Sequence, residues 1–233
     1  MTVASNSWNI RENAIDKKFA NQIVLDMTEM LKESSTLVDI DVPEKGEALS
    51  AETSTLIYDL LNIFSLNGVP LQENPYLFNG DFVDRGSFSV EVILTLFAWK
   101  LAFPNHMRPA RGNHETRNMT SRYGFKQEVI SKNGEAMYDL FCEAFCLLPL
   151  CHVINQQVFV VHGGLFSHDN VTLDDIRKVT EIVSHQNCEG LMTEMLWNDP
   201  QPDQAGLLPI KRRVGVAFGP DVTEHFLKVN GLK

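Results

Sequence analysis

Three short segments gather side chains that could do chemistry, each beside glycine: Gly80-Asp81-Phe82-Val83-Asp84-Arg85-Gly86, Arg111-Gly112-Asn113-His114-Glu115 and His162-Gly163-Gly164. Carboxylate, amide oxygen and imidazole together suit a borderline divalent ion such as manganese, iron or zinc better than magnesium or calcium, which prefer all-oxygen shells. Taken singly, each segment has a plainer reading. An Asp after Gly often caps, Asn-His is often a turn, and His-Gly-Gly often ends a hairpin. Their convergence on one place is what would make them a site. A second grouping, Cys142, Cys146, Cys151 and His152, reads as buried thiols rather than zinc ligands, because the first two stand one helical turn apart among Leu140, Phe141 and Phe145.

The elements that must position these segments follow from hydrophobic periodicity. Residues 76–78 form a short apolar run that ends at the first segment. Ser87 can cap the next helix, whose Val90, Ile93, Leu94, Phe97, Ala98 and Leu101 recur at helical spacing until Pro104. A further short strand leads into Arg111, so residues 76–111 read as a βαβ unit. Such a right-handed crossover puts both strand C-termini at one edge of a parallel sheet, where α/β sites are built. Residues 153–161 read as a hairpin turning at Asn155-Gln156-Gln157 and ending at His162. Upstream, the pattern predicts a helix over 19–33, a strand over 37–42, a loop over 44–55, and a helix from Ile57 that Asn67-Gly68 closes. Downstream, a helix covers Met137 to Leu148, another covers 174–183, and 184–213, with three prolines, reads as a long exposed loop. Gly219-Pro220-Asp221 opens a last helix that Asn230-Gly231 caps. The sequence holds no internal repeat.

Composition narrows the classes of function. The 233 residues are 44% hydrophobic and 21% charged, an ordinary globular balance. Lys+Arg 20 against Asp+Glu 30 gives a net charge of −10, which disfavours nucleic acid and anionic membranes as partners. No stretch approaches the ~18 apolar residues of a membrane helix. The first residues lack a basic region followed by an apolar one, so a cytoplasmic or nuclear setting is expected, in which the four cysteines need not pair.

The three segments resemble the signature blocks of the phosphoprotein phosphatase family of metal-dependent Ser/Thr protein phosphatases. Residues 88–97, 171–177 and 218–222 are similar to the type-five branch. The resemblance runs from about residue 18 to the C-terminus, with 1–17 as a flexible extension, and implies an α/β metallophosphoesterase fold: a central β-sandwich flanked by helices, incomplete at its C-terminal end. It further implies that Asp81 bridges two metal ions, that Asn113 and His162 ligate the second of them, and that His114 is the general acid with Asp84 orienting its ring. Arg85 and Arg212 hold the phosphate, a metal-activated hydroxide attacks phosphorus in line, and the partners are phosphoproteins, with regulatory proteins besides.

Departures from the pattern are as specific as the matches. Where the family carries Gly-Asp-x-His-Gly, supplying two ligands to the first metal, this sequence reads Ala51-Glu52-Thr53-Ser54-Thr55, and the strand before it is replaced. Glu52 is a longer carboxylate, but Ser54 is a poor substitute for imidazole. Pro109 falls in an expected interior strand, Arg213 and Gly215 stand where the family has Gly and Ser, and the chain stops before the family's remaining motifs. Three readings result: a protein Ser/Thr phosphatase by descent that is inactive or strongly impaired, holding at most one weakly bound ion (manganese, iron or zinc); a noncatalytic pseudophosphatase-like module that binds phosphoproteins; and a truncated or mis-spliced product with no stable fold of its own.

Overall fold

In the computed structural model, residues 15–42, 49–51, 57–179, 190–212 and 214–233 are described. Helix α1 (Lys17–Leu31) begins where the Asp16 side chain accepts from the Lys18 N–H, and buries Ala20, Val24, Met27 and Leu31 along one face. Strand β1 (Leu37–Ile40), strand β2 (Leu49–Ala51), helix α2 (Ile57–Asn67), strand β3 (Tyr76–Phe78), helix α3 (Ser89–Ala102) and strand β4 (Met107–Pro109) follow. The expected βαβ unit is β3-α3-β4: Tyr76 pairs with Met107 and Phe78 with Pro109 in parallel register.

Two expectations fail in this first sheet, whose order is β2-β3-β4. The sequence pattern gave a loop over 44–55 and a lost strand, yet residues 49–51 pair in parallel with β3. The free edge of β3 recruits a segment with little strand propensity of its own, which is how tertiary pairing overrides local preference. Residues 43–48 and 52–56, including Glu52 and Ser54, lie outside the described residues. Pro109, expected inside a sheet, lies on an edge strand among the described residues. It needs no ladder donor there, because the Ala110 N–H carries the next bond to Phe78 O at 2.8 Å.

Helices α4 (Arg117–Tyr123), α5 (Phe125–Lys132) and α6 (Glu135–Leu147) complete the first half. Helices α1, α3, α5 and α6 bury one apolar cluster with α2 and β3, in which Phe97, Phe125, Phe141 and Phe145 are fully covered. Ser87 does not cap α3. The carboxylate of Glu128 on α5 accepts from the N–H groups of Ser89 and Val90, at 3.3 and 3.0 Å, so one helix caps another across the core.

Strands β5 (Cys151–Ile154) and β6 (Val158–Val161) form the expected antiparallel hairpin, with Asn155 and Gln156 in the left-handed region at its turn, and β1 joins β5 in parallel. Helix α7 (Leu173–Arg177) carries a capping box between Thr172 and Asp175 and stops short of the expected 183; residues 180–183 lie outside the described residues. The stretch read as an exposed loop contains helix α8 (Leu191–Trp197), strand β7 (Asp199–Pro200) and strand β8 (Leu207–Pro209). Met192, Met195 and Leu196 of α8 are buried in a second apolar cluster with β5 and the last helix. A seven-residue helix is too short for periodicity to declare it, and two of the three prolines, Pro200 and Pro209, sit in short strands that flank β9 (Val216–Phe218). Helix α9 (Pro220–Asn230) ends on Gly231 in the left-handed region, as expected. Among the described residues no helix is long and apolar enough to cross a membrane.

Candidate active site

The three segments leave the C-terminal ends of β3, β4 and β6 and meet. Their approach is closer than any side chain at two positions would allow: a Cβ on Gly80 would lie 2.5 Å from Gly112 Cα, and one on Gly112 would lie 2.5 Å from Asp81 Oδ1. Asp81, Asp84 and Arg85 are held at φ of 58°, 76° and 59°, in the left-handed region that non-glycine residues seldom adopt and that concentrates at functional sites.

At the centre, Asp81 Oδ1 lies 3.3 Å from His162 Nε2 and accepts from the His114 backbone N–H at 3.1 Å. The other ring nitrogen of His162 stands 2.7 Å from Asn79 O, a geometry that requires Nδ1 to carry the hydrogen. In the neutral ring, Nε2 then presents a lone pair to a carboxylate oxygen. Beside them, Asn113 Oδ1 is buried with no hydrogen-bond partner. A carboxylate, an imidazole lone pair and an unpartnered amide oxygen fit a divalent cation, and the His162 orientation by a backbone carbonyl is the usual support of a metal-binding imidazole. Among the described residues no three His, Cys, Asp or Glu side chains cluster, so the set is one carboxylate, one imidazole and one amide.

Next to this cluster, His114 Nδ1 donates to Asp84 Oδ2 at 2.7 Å, both side chains being buried. Asp84 is fixed in turn by the Phe125 N–H, donated to Oδ1 at 3.0 Å at the start of α5. Burial favours the neutral imidazole, but the Asp84 hydrogen bond and the charges of Asp81 and Asp84 outweigh it and raise the His114 pKa. Arg85 Nη2 reaches His114 Nε2 at 2.8 Å, with its guanidinium over the Tyr123 ring at 5.9 Å. Arg212 is engaged elsewhere, with Trp197 O at 2.8 Å and the Asp199 carboxylate. No hydrogen bond or ion pair joins it to the Asp81 cluster among the described residues. Its anchor, Trp197, is nonetheless adjacent to the third segment: the Gly163 N–H donates to Met195 O at 2.7 Å, and a Cβ on Gly163 would meet Trp197 N at 2.6 Å. Arg213 lies outside the described residues.

Sequence reasoning gave Glu115 no role. The side chain is fully buried, and its carboxylate accepts from the N–H groups of Asp81, Phe82 and Gly112 at 2.8, 2.7 and 2.8 Å. It thereby clamps the end of β3 to the end of β4. Burial and the neighbouring Asp81 push its pKa up to about 7, against the Asp81 and Phe82 N–H groups and His162, which favour the ionised form. A Glu ending a glycine-bearing turn looks like a surface residue, and only the meeting of two strand ends makes it a pin.

With this geometry in place, comparison with known proteins is specific. The family described as Calcineurin-like phosphoesterase matches residues 55–233, and the chain belongs to that family. Within it, the similarity is to the type-five phosphoprotein phosphatases. The chain is 57% identical over 219 residues to serine/threonine-protein phosphatase 5 of Solanum lycopersicum, covering 94% of this chain and 39% of that one. It is 51% identical over 226 residues to serine/threonine-protein phosphatase 5 of Homo sapiens, covering 97% and 45%. A solved protein serine/threonine phosphatase from Saccharomyces cerevisiae, with similarity to human phosphatase PP5, superposes with a TM-score of 0.89 at 35% identity, covering 96% of this chain and 70% of that one. The chain thus spans less than half the length of these two curated relatives.

Proposed function

We propose that this chain is a protein Ser/Thr phosphatase by descent, which recognises phosphoserine and phosphothreonine in proteins of the cytoplasm or nucleus and hydrolyses them far more slowly than an intact site would. The observation that carries this reading is the buried Asp84–His114 pair, with the exposed Arg85 on His114 Nε2, beside the Asp81 carboxylate, the His162 imidazole and the unpartnered Asn113 Oδ1.

Asp81, Asn113 and His162 would hold a divalent ion, with manganese, iron or zinc suited to the mixed oxygen and nitrogen set. When bound, such an ion neutralises phosphate charge and acidifies an attacking water. The chain's own residues supply the rest. Arg85 turns its planar fork from His114 Nε2 to the phosphate oxygens, where a guanidinium is bound more strongly than by an imidazole. Freed of Arg85, Nε2 carries the proton that passes to the departing serine or threonine oxygen, while Asp84 holds Nδ1–H and stabilises the ring. Arg212 is the second phosphate contact once it exchanges Asp199 for substrate.

Impairment follows from residues 51–55. One missing charge-stabilising contribution commonly costs about 10²–10³ in rate, and the family's Asp and His are here Glu52 and Ser54. The retention of both arginines beside that loss favours, as a second reading, a phosphoprotein-binding module without turnover. Manganese-dependent hydrolysis of a phosphoserine peptide tests both, by comparing the chain with a variant carrying Ala51→Gly, Glu52→Asp, Ser54→His and Thr55→Gly. The unmodified chain should be slower by at least about 10². Equal rates, lost in both on His114→Asn, would contradict impairment, and failure of the chain to bind the phosphopeptide would contradict the reading as a whole.

A further inference from the structure

Arg111 lines a cavity of about 340 Å³, and none of Asp81, Asn113, His114 or His162 lines it. Its wall includes Leu148, Leu150 and Met192, with Lys32 and Arg177 among its charged groups. Among the described residues no carboxylate lines it. Lys32 is paired with Glu29, and Arg177 with Asp39 and Asp174. Arg111 differs. It is 4% exposed, its Nε donates to Glu115 O at 3.1 Å, and among the described residues its Nη2 has only the weak acceptor Cys146 Sγ at 3.9 Å. Among the described residues it faces no carboxylate within ion-pair distance. A buried guanidinium without a counter-charge is costly, and the cost falls when an anion occupies the space in front of it.

We propose that this cavity is a binding site for a small organic anion, a carboxylate or phosphate-type head group on an apolar body, with the head on Arg111 and the body against Leu148, Leu150 and Met192. The volume is that of a site for one small molecule, and a partly apolar wall with a few convergent polar and charged groups, here Arg111 with Lys32 and Arg177, is the usual makeup of such sites. Occupancy would bear on the Gly112–Glu115 turn, since Arg111 holds the Glu115 carbonyl.

The test is calorimetric titration of the whole chain with 1-naphthoate, 1-naphthylphosphonate and neutral 1-naphthamide. One anion should bind per chain, the amide should bind roughly tenfold or more weakly, and Arg111→Met should lower anion affinity by a similar factor, as expected for a charge-assisted contact. Ser34→Trp, at an exposed lining position, should block the cavity and decides the matter if Arg111→Met fails to fold. His114→Asn should leave binding unchanged, which separates this site from the phosphate site. The tighter of the two anions identifies the head group. Absence of binding at millimolar probe, equal affinity for the amide, retention of binding in Ser34→Trp, or its loss in His114→Asn would overturn the proposal.

Discussion

Replacing Glu115 with Ala removes the acceptor for three backbone N–H groups at the junction of the two strand ends: Asp81, Phe82 and Gly112. A buried donor left without a partner costs about 1–3 kcal/mol, and the three share one void that a water molecule can partly serve. The expected loss is therefore about 3–5 kcal/mol, below the simple sum. For a domain of this size that corresponds to a fall in melting temperature of roughly 6–20 °C. Glu115→Gln keeps the volume but offers one acceptor oxygen and sets its NH₂ against a backbone N–H. It should lose about 2–3 kcal/mol. Thermal unfolding followed by circular dichroism gives the magnitude, and hydrogen exchange localises it, with protection lost at 79–86 and 110–115 before the remainder of the fold. A change of under about 2 °C for Glu115→Ala, with exchange at Asp81 and Phe82 unaltered, would refute the role assigned to this carboxylate.

Three further outcomes are expected. Gly112→Ala should unsettle the site, because the added methyl would stand 2.5 Å from both Asp81 N and Asp81 Oδ1; manganese binding followed by electron paramagnetic resonance should weaken at least tenfold or vanish. His152, buried beside Arg108 and Lys100, has its pKa lowered from 6.5 to about 3 by burial first and those cations second. The unfolded chain takes up its proton near pH 6.5 and the folded chain does not, so the stability this contributes is present above pH 6.5 and is lost as pH falls. Urea denaturation should show a loss of about 2 kcal/mol between pH 7 and pH 5 that His152→Leu lacks. Glu128→Ala should cost about 1–2 kcal/mol in thermal unfolding, by uncapping α3; an unchanged stability would show that water replaces this cap without loss.

Much of the fold was legible because its long helices bury regular stripes. Val90, Ile93, Leu94 and Phe97 of α3 and Phe141, Ala144 and Phe145 of α6 announce both their helices and the core between them. The hairpin was legible for a similar reason, an apolar run on each side of a polar turn. What stayed hidden was built by partners distant in sequence. Strand β2 exists because β3 offers an edge, α8 because Met192, Met195 and Leu196 find the second apolar cluster, and the α3 cap is Glu128 rather than the nearby Ser87. In the candidate site, residue type pointed to Asp81, Asn113, His114 and His162, which stand at the converging ends of β3, β4 and β6. Glu115 escaped because its role depends on the convergence of two loops.

In the function proposed above, Asp81, Asn113 and His162 hold a single divalent ion, loosely. Equilibrium dialysis against manganese, with metal counted per chain by mass spectrometry, tests it most directly. The account predicts a single ion, readily removed by chelator and abolished by His162→Ala. Two ions retained through gel filtration, or one tightly held ion unaffected by His162→Ala, would contradict it.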